Sequence, residues 1–391
     1  MNPDNHYMAG RHFLQIPGPS NVPDRVLRAM ARPVIDHRGP GFPSLTRELF
    51  SKLQKLINTS GPVFIFPASG TGGWESALLN TLSPGDKVLA FETGHFATLW
   101  KNVAVKLGLE VDWVAGDWRR GIDPDVVEQR LRGDNSIKAV LATHTETSTG
   151  VTSDLQSIRH AIDAAGHPAL YMVDAVSSLA CSELDMAGWG IDVLISASQK
   201  GLMLPPGLSF NAVSERALAQ AGSSRARHSY WDWQAMQEHN ERGYFPYTPA
   251  TNLLYGLNEA LDMLAEEGLE RVIARHARLA AATRAAVEGW GLENVCLNHS
   301  EYSNSTTAVL VPPGSDADAL RALILQRFNM SLGTGLGKLK GTVFRIGHIG
   351  DFNELMLAGT LCGVEMGLAL ADIKHHPAGV SAALKYLQDK E

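Results

Sequence analysis

The chain has 391 residues, 45% of them apolar and 19% charged, with 37 glycines and a net charge of −7. A length of this order allows two or three folded units, and the acidic balance leaves no basic footprint for a nucleic-acid partner. Three cysteines, Cys181, Cys296 and Cys362, are odd in number and far apart, which argues against a disulfide framework or a metal-spaced pair and points to a reducing cytosol.

Met1 to His12 is polar and lacks the apolar core of a secretion signal. Leu355 to Leu370 is apolar but carries Glu365, and it reads as an amphipathic helix rather than a membrane span. A cytoplasmic protein without a membrane partner is expected. Gln15 to Pro23 holds three prolines and a glycine, so it reads as an irregular arm entering the fold. Asp24 is placed to cap a short helix through Met30. Asp36-His37-Arg38-Gly39-Pro40 follows as a turn-rich loop, either solvent-facing or built to recognise an anion.

Phe64-Ile65-Phe66 reads as a short strand, Pro67 to Gly73 as a glycine-rich turn, and a helix is predicted from about Trp74. Strand, turn and helix N-terminus together make a phosphate cradle: glycine lets the backbone approach the anion, and free N–H groups and the helix dipole favour its charge. Taken alone, such a turn is as readily structural. It matches neither Gly-x-Gly-x-x-Gly nor a Walker loop, which weakens dinucleotide and nucleoside triphosphate readings.

Lys87 to Phe91 is the next strand, with Gly94-His95-Phe96 beyond its C-terminal end, where ligands collect in open α/β sheets. Phe96 there either packs in the core or stacks on an aromatic ligand. Ile137 to Thr143 leads into His144-Thr145-Glu146-Thr147-Ser148-Thr149-Gly150, whose hydroxyls read as ligand donors rather than a loop capping itself. Ala169 to Val173 has no polar alternation, as in a parallel sheet covered on both faces. It ends at Asp174, and Gly190 to Ile195 then leads to Ser196-Ala197-Ser198-Gln199-Lys200-Gly201.

A lysine at the mouth of a buried strand, among small residues and before a Pro-Pro-Gly turn, suits a Schiff-base amine desolvated enough to lose its proton near neutral pH. An anion cradle, a strand-end aspartate and this lysine, in that order, are what pyridoxal phosphate chemistry requires. The carboxylate would keep the pyridine nitrogen protonated, and the lysine would hold the aldehyde and later move a proton.

A second region is expected from near Gly256, with long helices over 252–267 and 269–290 and an α/β alternation beyond them. His276 reads as a core or solvated histidine. Arg345 interrupts the apolar run Val343 to Gly347 and needs an anionic partner, either a substrate carboxylate or a structural one.

With these motifs in view, the chain resembles the class V, fold-type I aminotransferases that depend on pyridoxal phosphate, most closely their serine–glyoxylate and alanine–glyoxylate branches. The resemblance spans almost the whole chain. It rests on Pro17-Gly18-Pro19-Ser20-Asn21, Asp36-His37-Arg38, Phe66 to Glu75, Ala197-Ser198-Gln199-Lys200, Tyr247-Thr248-Pro249 and Phe344-Arg345-Ile346-Gly347-His348. It implies an α/β fold: a large domain with a mostly parallel seven-stranded sheet between helices, and a smaller C-terminal α/β domain. The expected division is an arm over 1–24, a cofactor-binding domain over 25–255 and a small domain over 256–391.

The resemblance also implies roles for single residues. Lys200 forms the Schiff base, and Asp174 pairs with the pyridine nitrogen. Phe96 stacks on the ring, Thr147 bonds beside its hydroxyl, and Val176 lines it. Thr71, Gly72, Gly73 and Gln199 bind the phosphate, with Tyr247 and Thr248 contributing, the latter from a partner subunit. Arg345 clamps the substrate α-carboxylate, while Ser20, His37 and Arg38 shape the side-chain pocket, the last two from the partner. The implied reaction moves the amino group of an amino acid to a 2-oxo acid in a homodimer with shared sites, serine and glyoxylate being the expected pair. Alanine or aspartate as donor stays open, as does pairing of dimers into tetramers. Phe245 stands where the alanine–glyoxylate branch has tyrosine, and Thr145 where the serine–glyoxylate branch has asparagine. Three rivals are a cysteine lyase, which needs a mobile cysteine near Lys200, a non-catalytic cofactor-binding protein, and a dehydrogenase.

Overall fold

The computed structural model describes residues 10–389, so the first nine residues of the expected arm lie outside the described residues. The apolar runs pair into two main sheets. Strand β1 (Phe13–Gln15) comes from the arm, and β2 (Val63–Phe66), β3 (Lys87–Phe91), β4 (Glu110–Val114) and β5 (Ile137–Thr143) follow. A two-residue hairpin, β6 (Thr145–Glu146) and β7 (Val151–Thr152), precedes β8 (Leu170–Asp174), β9 (Val193–Ala197) and β10 (Ser209–Val213). The last four are β11 (Glu293–Asn294), β12 (Thr306–Leu310), β13 (Met330–Thr334) and β14 (Val343–Gly347).

The larger sheet has seven strands in the order β2-β10-β9-β8-β5-β3-β4, and β10 alone runs against the others. Strands β2, β8, β9 and β10 are buried along their whole length, which explains their uninterrupted apolar character. The smaller sheet has the order β1-β13-β14-β12-β11, with β1 parallel to β13 and the other pairs antiparallel. By pairing, the arm belongs to the smaller sheet.

The helices are α1 (Asp24–Met30), α2 (Phe42–Ile57), α3 (Gly70–Thr81), α4 (His95–Lys106), α5 (Pro124–Gly133), α6 (Leu155–Ala164), α7 (Glu215–Ala221) and α8 (Trp233–Asn240). Five more complete the chain: α9 (Thr251–Glu267), α10 (Leu269–Trp290), α11 (Ala317–Phe328), α12 (Glu354–Leu370) and α13 (Gly379–Asp389). Helix α3 packs on β9 and β10, and α4 packs on β3, β4 and β5. Asp24 is the first residue of α1 rather than its cap: Pro23 holds the cap position, and Asp24 serves only as an acidic group in the first turn.

Helix α3 starts four residues before the expected Trp74. Its glycines lie inside the first turn, because close packing on the sheet outweighs glycine's weak helix propensity. Helix α12 departs from the amphipathic expectation as well. It buries Leu357, Leu361, Val364 and Leu368, yet leaves Leu355 83% and Leu370 50% exposed. No helix among the described residues is long and apolar enough to cross a membrane.

The larger core runs from α1 through the seven-stranded sheet and takes in the apolar stripe of α9, namely Leu254, Leu257, Leu261 and Leu264, as far as Val272. The second core begins at Leu279 and gathers Trp290, Leu320, Ile324, Phe344, Ile346 and Leu361. Packing therefore puts the change of core inside α10, downstream of Gly256, which sits in the middle of a helix facing the first core. His276 lies at this junction: its Nδ1 lies 2.7 Å from the Val272 carbonyl, and its Nε2 accepts the Gly350 N–H at 3.1 Å. Burial pulls its pKa down to about 4, as befits a neutral core histidine.

Phe344 is fully buried in the second core. Phe344→Ala should lower the unfolding free energy by about 3–5 kcal/mol, through lost burial and the cavity left behind. Urea denaturation followed by circular dichroism measures it, and a loss below about 1 kcal/mol would show that the site collapses around the smaller side chain.

Candidate active site

Strands β2, β3, β5, β8 and β9 share one direction, so the segments after their C-terminal ends gather at one edge of the sheet. The first such segment is the opening turn of α3. The N–H groups of Gly72 and Gly73 turn back to the Ser69 carbonyl at 2.9 and 3.3 Å. A Cβ on Gly70 would lie 2.7 Å from Val176 Cγ2, and one on Gly73 would lie 2.4 Å from Ser209 Oγ and 2.7 Å from Ile195 Cγ2. Only glycine lets this turn sit down on β9, β10 and the loop after β8. Thr71 is exposed at its rim, and Gly72 is covered by Trp231, 2.8 Å from where a Cβ would stand.

The ends of β8 and β9 bring the two central charges. Asp174 is buried, and its Oδ1 accepts the Val176 N–H at 2.8 Å. Burial raises its pKa to about 7, the charge on Glu146 adds to that rise, and Lys200 opposes it. Lys200 is 8% exposed, and its ammonium donates to the Pro17 carbonyl of the arm. Burial, then the nearby Arg345 charge, lowers its pKa to about 7. The arm closes over this lysine: Gly18 has φ +120°, and a Cβ there would lie 2.5 Å from Lys200 Nζ. Ser20 donates its N–H to the Gln199 carbonyl and its hydroxyl to the Lys200 carbonyl, both at 2.9 Å. Ser20 thus holds the lysine's backbone, a role the sequence reading, which placed it in the substrate pocket, did not identify.

Arg345 reaches this place from the smaller sheet. It sits on β14 between Ala308 and Gly333, and a Cβ at Gly333 would lie 2.9 Å from its own Cβ. Its Nε donates to the Thr334 carbonyl and its Nη1 to the Thr147 carbonyl, both at 2.8 Å. It forms no ion pair among the described residues, although it is 7% exposed. Burial lowers its pKa to about 10, and Glu146 opposes that shift. A buried guanidinium with donors to spare is suited to a carboxylate.

The loop of hydroxyls between β5 and β8 behaves differently from the expectation. Thr145 pairs with Thr152 across the β6–β7 hairpin at 3.1 Å, and Ser148 donates to Glu146 at 2.7 Å, so these two cap their own loop. Thr147 reaches beyond the loop, bonding Ser177 after β8, and the Ser148 hydroxyl also accepts the His95 N–H of α4 at 3.0 Å. Phe96 is half-buried at the second position of α4, with His95 edge-on to it at 5.6 Å.

His37 and Arg38 lie elsewhere. Arg38 is exposed, its N–H held by Asp36 Oδ1 at 2.9 Å. His37 Nε2 stands 3.5 Å from Thr248 Oγ1, and Thr248 is exposed. Among the described residues neither bonds Lys200, Asp174 or Arg345. Tyr247 stacks on Tyr230 at 4.5 Å, and Tyr230 meets Trp231 at 5.2 Å, so an aromatic chain joins Tyr247 to the cradle over Gly72. Sequence reasoning gave no role to Trp231 and Gly333, and it singled out Pro17 and Gly18 in the arm motif without their contact with Lys200. Gly18 and Trp231 carried a local signal in their glycine and aromatic setting, whereas the role of Gly333 depends on pairing with a distant strand.

The residues fit pyridoxal phosphate. The opening turn of α3 favours an anion, Asp174 suits a ring nitrogen, and Lys200 is an amine poised near neutrality. Gln199, next to the lysine, has a buried Oε1 with no hydrogen-bond partner among the described residues. Without a cofactor, the depressed Lys200 pKa makes folding less favourable at pH 7 and progressively more favourable as pH climbs toward 10.5, the ordinary lysine value. Lys200→Met should therefore stabilise the cofactor-free protein most at pH 7, and the advantage should shrink by pH 10. Urea titrations at both pH values test this; a pH-independent difference would contradict the burial of the amine.

Comparison with known proteins accords with this geometry. Residues 12–337 match the aminotransferase class-V family. The serine–glyoxylate aminotransferase of Methylorubrum extorquens is 49% identical over 389 residues, covering 97% of each chain. The L-aspartate–glyoxylate aminotransferase of Paracoccus denitrificans is 42% identical over 93% of this chain and 92% of that one. Among solved structures, pyridoxamine–pyruvate aminotransferase from Mesorhizobium loti superposes with a TM-score of 0.92 at 28% identity, covering 98% and 99% of the two chains. With a family match over most of its length and a relative sharing nearly half its residues, the chain belongs to the class-V aminotransferases.

Proposed function

We propose that the protein transfers the amino group of L-serine to glyoxylate, with pyridoxal phosphate as cofactor, giving hydroxypyruvate and glycine. The observation that carries this reading is Arg345, a buried guanidinium without an ion partner among the described residues, whose charge also acts on Lys200. An α-amino acid offers the matching pair, a carboxylate for the arginine and a Cα–H for the amine. The 49% identity to a serine–glyoxylate aminotransferase supports the choice of donor and acceptor.

When bound, pyridoxal phosphate supplies an aldehyde for the amino group and a ring that accepts the electron pair left as Cα loses its proton. Thr71, Gly72, Gly73 and Gln199 would hold its phosphate, Phe96 one ring face, Val176 the other, and Thr147 the ring hydroxyl. Asp174, buried and hydrogen-bonded by the Val176 N–H, would hold a proton at the ring nitrogen. Arg345 binds the α-carboxylate in two parallel hydrogen bonds and so fixes Cα. Lys200, whose pKa of about 7 leaves a large share of it deprotonated at neutral pH, would take the Cα proton and hold it for return. Ser20 keeps the lysine backbone in place while the side chain moves, and the arm over Lys200 keeps water from the amine.

A cysteine-lyase reading finds little support. Cys181 is buried and its thiol is pushed up to about 12 by burial, far from a nucleophilic thiolate. Aspartate as donor keeps one specific support, the 42% identity to an aspartate–glyoxylate enzyme, and Arg38 is the cation that would receive a second carboxylate. The three free cysteines suit a reducing cytoplasm.

A homodimer with shared sites fits the placement of His37 and Thr248. They stand together on an exposed surface, as one patch that a partner's site could receive; Tyr247 beside them would reach the phosphate region.

The holoenzyme's visible band should be bleached by L-serine and restored by glyoxylate, with L-alanine and L-aspartate slower. Fast bleaching by aspartate alone moves the donor assignment, and no bleaching by any amino acid overturns transamination. Arg345→Gln should raise the KM for serine about 10–100-fold, as loss of a charged hydrogen-bonding clamp predicts. Lys200→Ala should lower kcat about 10²–10⁴-fold. Mixing Lys200→Ala with His37→Ala protomers should recover activity that neither has alone, because one site of the hybrid dimer is then intact; no recovery would place His37 in its own protomer's site.

A further inference from the structure

Glu146 is a fully buried carboxylate to which the reading above gives no task. Its Oε1 accepts the Ser148 N–H at 3.0 Å, the Ser148 hydroxyl at 2.7 Å and the Phe96 N–H at 3.3 Å. Its Oε2 accepts the Ala97 N–H at 3.0 Å. The Ser148 hydroxyl in turn accepts the His95 N–H at 3.0 Å. The first three N–H groups of α4, which a helix leaves without internal partners, thus all end on the loop 146–148. The carboxylate also sits at the positive end of the α4 dipole, the favourable place for its charge.

The fit leaves no slack. A Cβ on Gly94 would lie 2.3 Å from Glu146 Cγ and 2.6 Å from Ser148 Oγ, so glycine before α4 is what lets the carboxylate reach the helix. The next residue after Glu146 is Thr147, whose carbonyl holds Arg345 and whose hydroxyl bonds Ser177. One side chain therefore ties the helix that carries Phe96 to the loop that carries Thr147 and anchors Arg345.

We propose that Glu146 is a positioning residue: it clamps the N-terminus of α4 to the loop 146–148 and so sets the spacing between Phe96 and Thr147, the two groups that would hold the cofactor ring. This rests on the pyridoxal phosphate reading of the site. Its charge also acts on Asp174, Lys200 and Arg345, which adds a reason for a carboxylate rather than a neutral cap.

The test is cofactor affinity and ring environment, not turnover alone. The apo forms of wild type, Glu146→Gln, Phe96→Leu and the double variant are titrated with pyridoxal phosphate, and the visible dichroism of the loaded forms is compared. Glu146→Gln should weaken cofactor binding about tenfold, as expected for one lost charged hydrogen bond, and diminish the visible dichroism. In the Phe96→Leu background the same change should add little, because the effect runs through that ring. Wild-type affinity and dichroism in Glu146→Gln overturn the proposal, as does a full additional loss in the double variant. Should Glu146→Gln not fold, Ser148→Ala carries the same measurement, with a smaller loss expected and an unchanged value overturning the clamp. A wild-type chain that binds no pyridoxal phosphate overturns the reading of the site and this proposal together.

Discussion

Three ionisable groups without full ionic pairing, Lys200, Asp174 and Arg345, are buried close enough to act on one another's charge, and most of the architecture serves to keep them there. A buried amine and a buried carboxyl each resist ionisation, so burial drives their pKa values toward each other, to about 7 in both cases. The guanidinium keeps its charge and pushes the lysine further down. Such an arrangement is unfavourable for folding alone, and the two large apolar cores on either side carry it.

Asp174 and Lys200 come from the ends of the paired strands β8 and β9 and Arg345 from the distant β14, and their surroundings rely on missing side chains. Gly70 and Gly73 let α3 settle on the sheet, Gly18 lets the arm lie on Lys200, and Gly333 leaves room beside Arg345. These positions require close approach of backbone, so a methyl group at any of them meets an atom within 3 Å. The smaller sheet matters to chemistry for the same reason: it delivers Arg345 to the loop after β5, where the Thr147 carbonyl receives it.

The elements with strong one-dimensional signals were legible in advance. The strands over 87–91, 137–143 and 343–347, and the helix over 269–290, lie where apolar runs and helical spacing placed them. Arg345 stood out as a charge inside an apolar run, and Asp174 and Lys200 as charges just past the ends of apolar strands, a local contradiction that burial must resolve. The start of α3, the change of core inside α10 and the bonding within the hydroxyl-rich loop were not legible, since each depends on packing between segments that the sequence does not show side by side.

From the sequence alone came the fold class, the order cradle–aspartate–lysine and the family resemblance, because these are written in contiguous motifs and in the spacing of apolar residues. Tertiary structure decided what each group touches. It gave Ser20 to the lysine backbone, Glu146 to the head of α4, and Arg345 to a carbonyl 198 positions away in sequence. It also set His37 beside Thr248, away from the buried charges. The physical reason is that hydrogen bonds and close packing depend on distances of a few ångströms, which only the folded chain defines, whereas hydrophobic periodicity is already present in the order of residues.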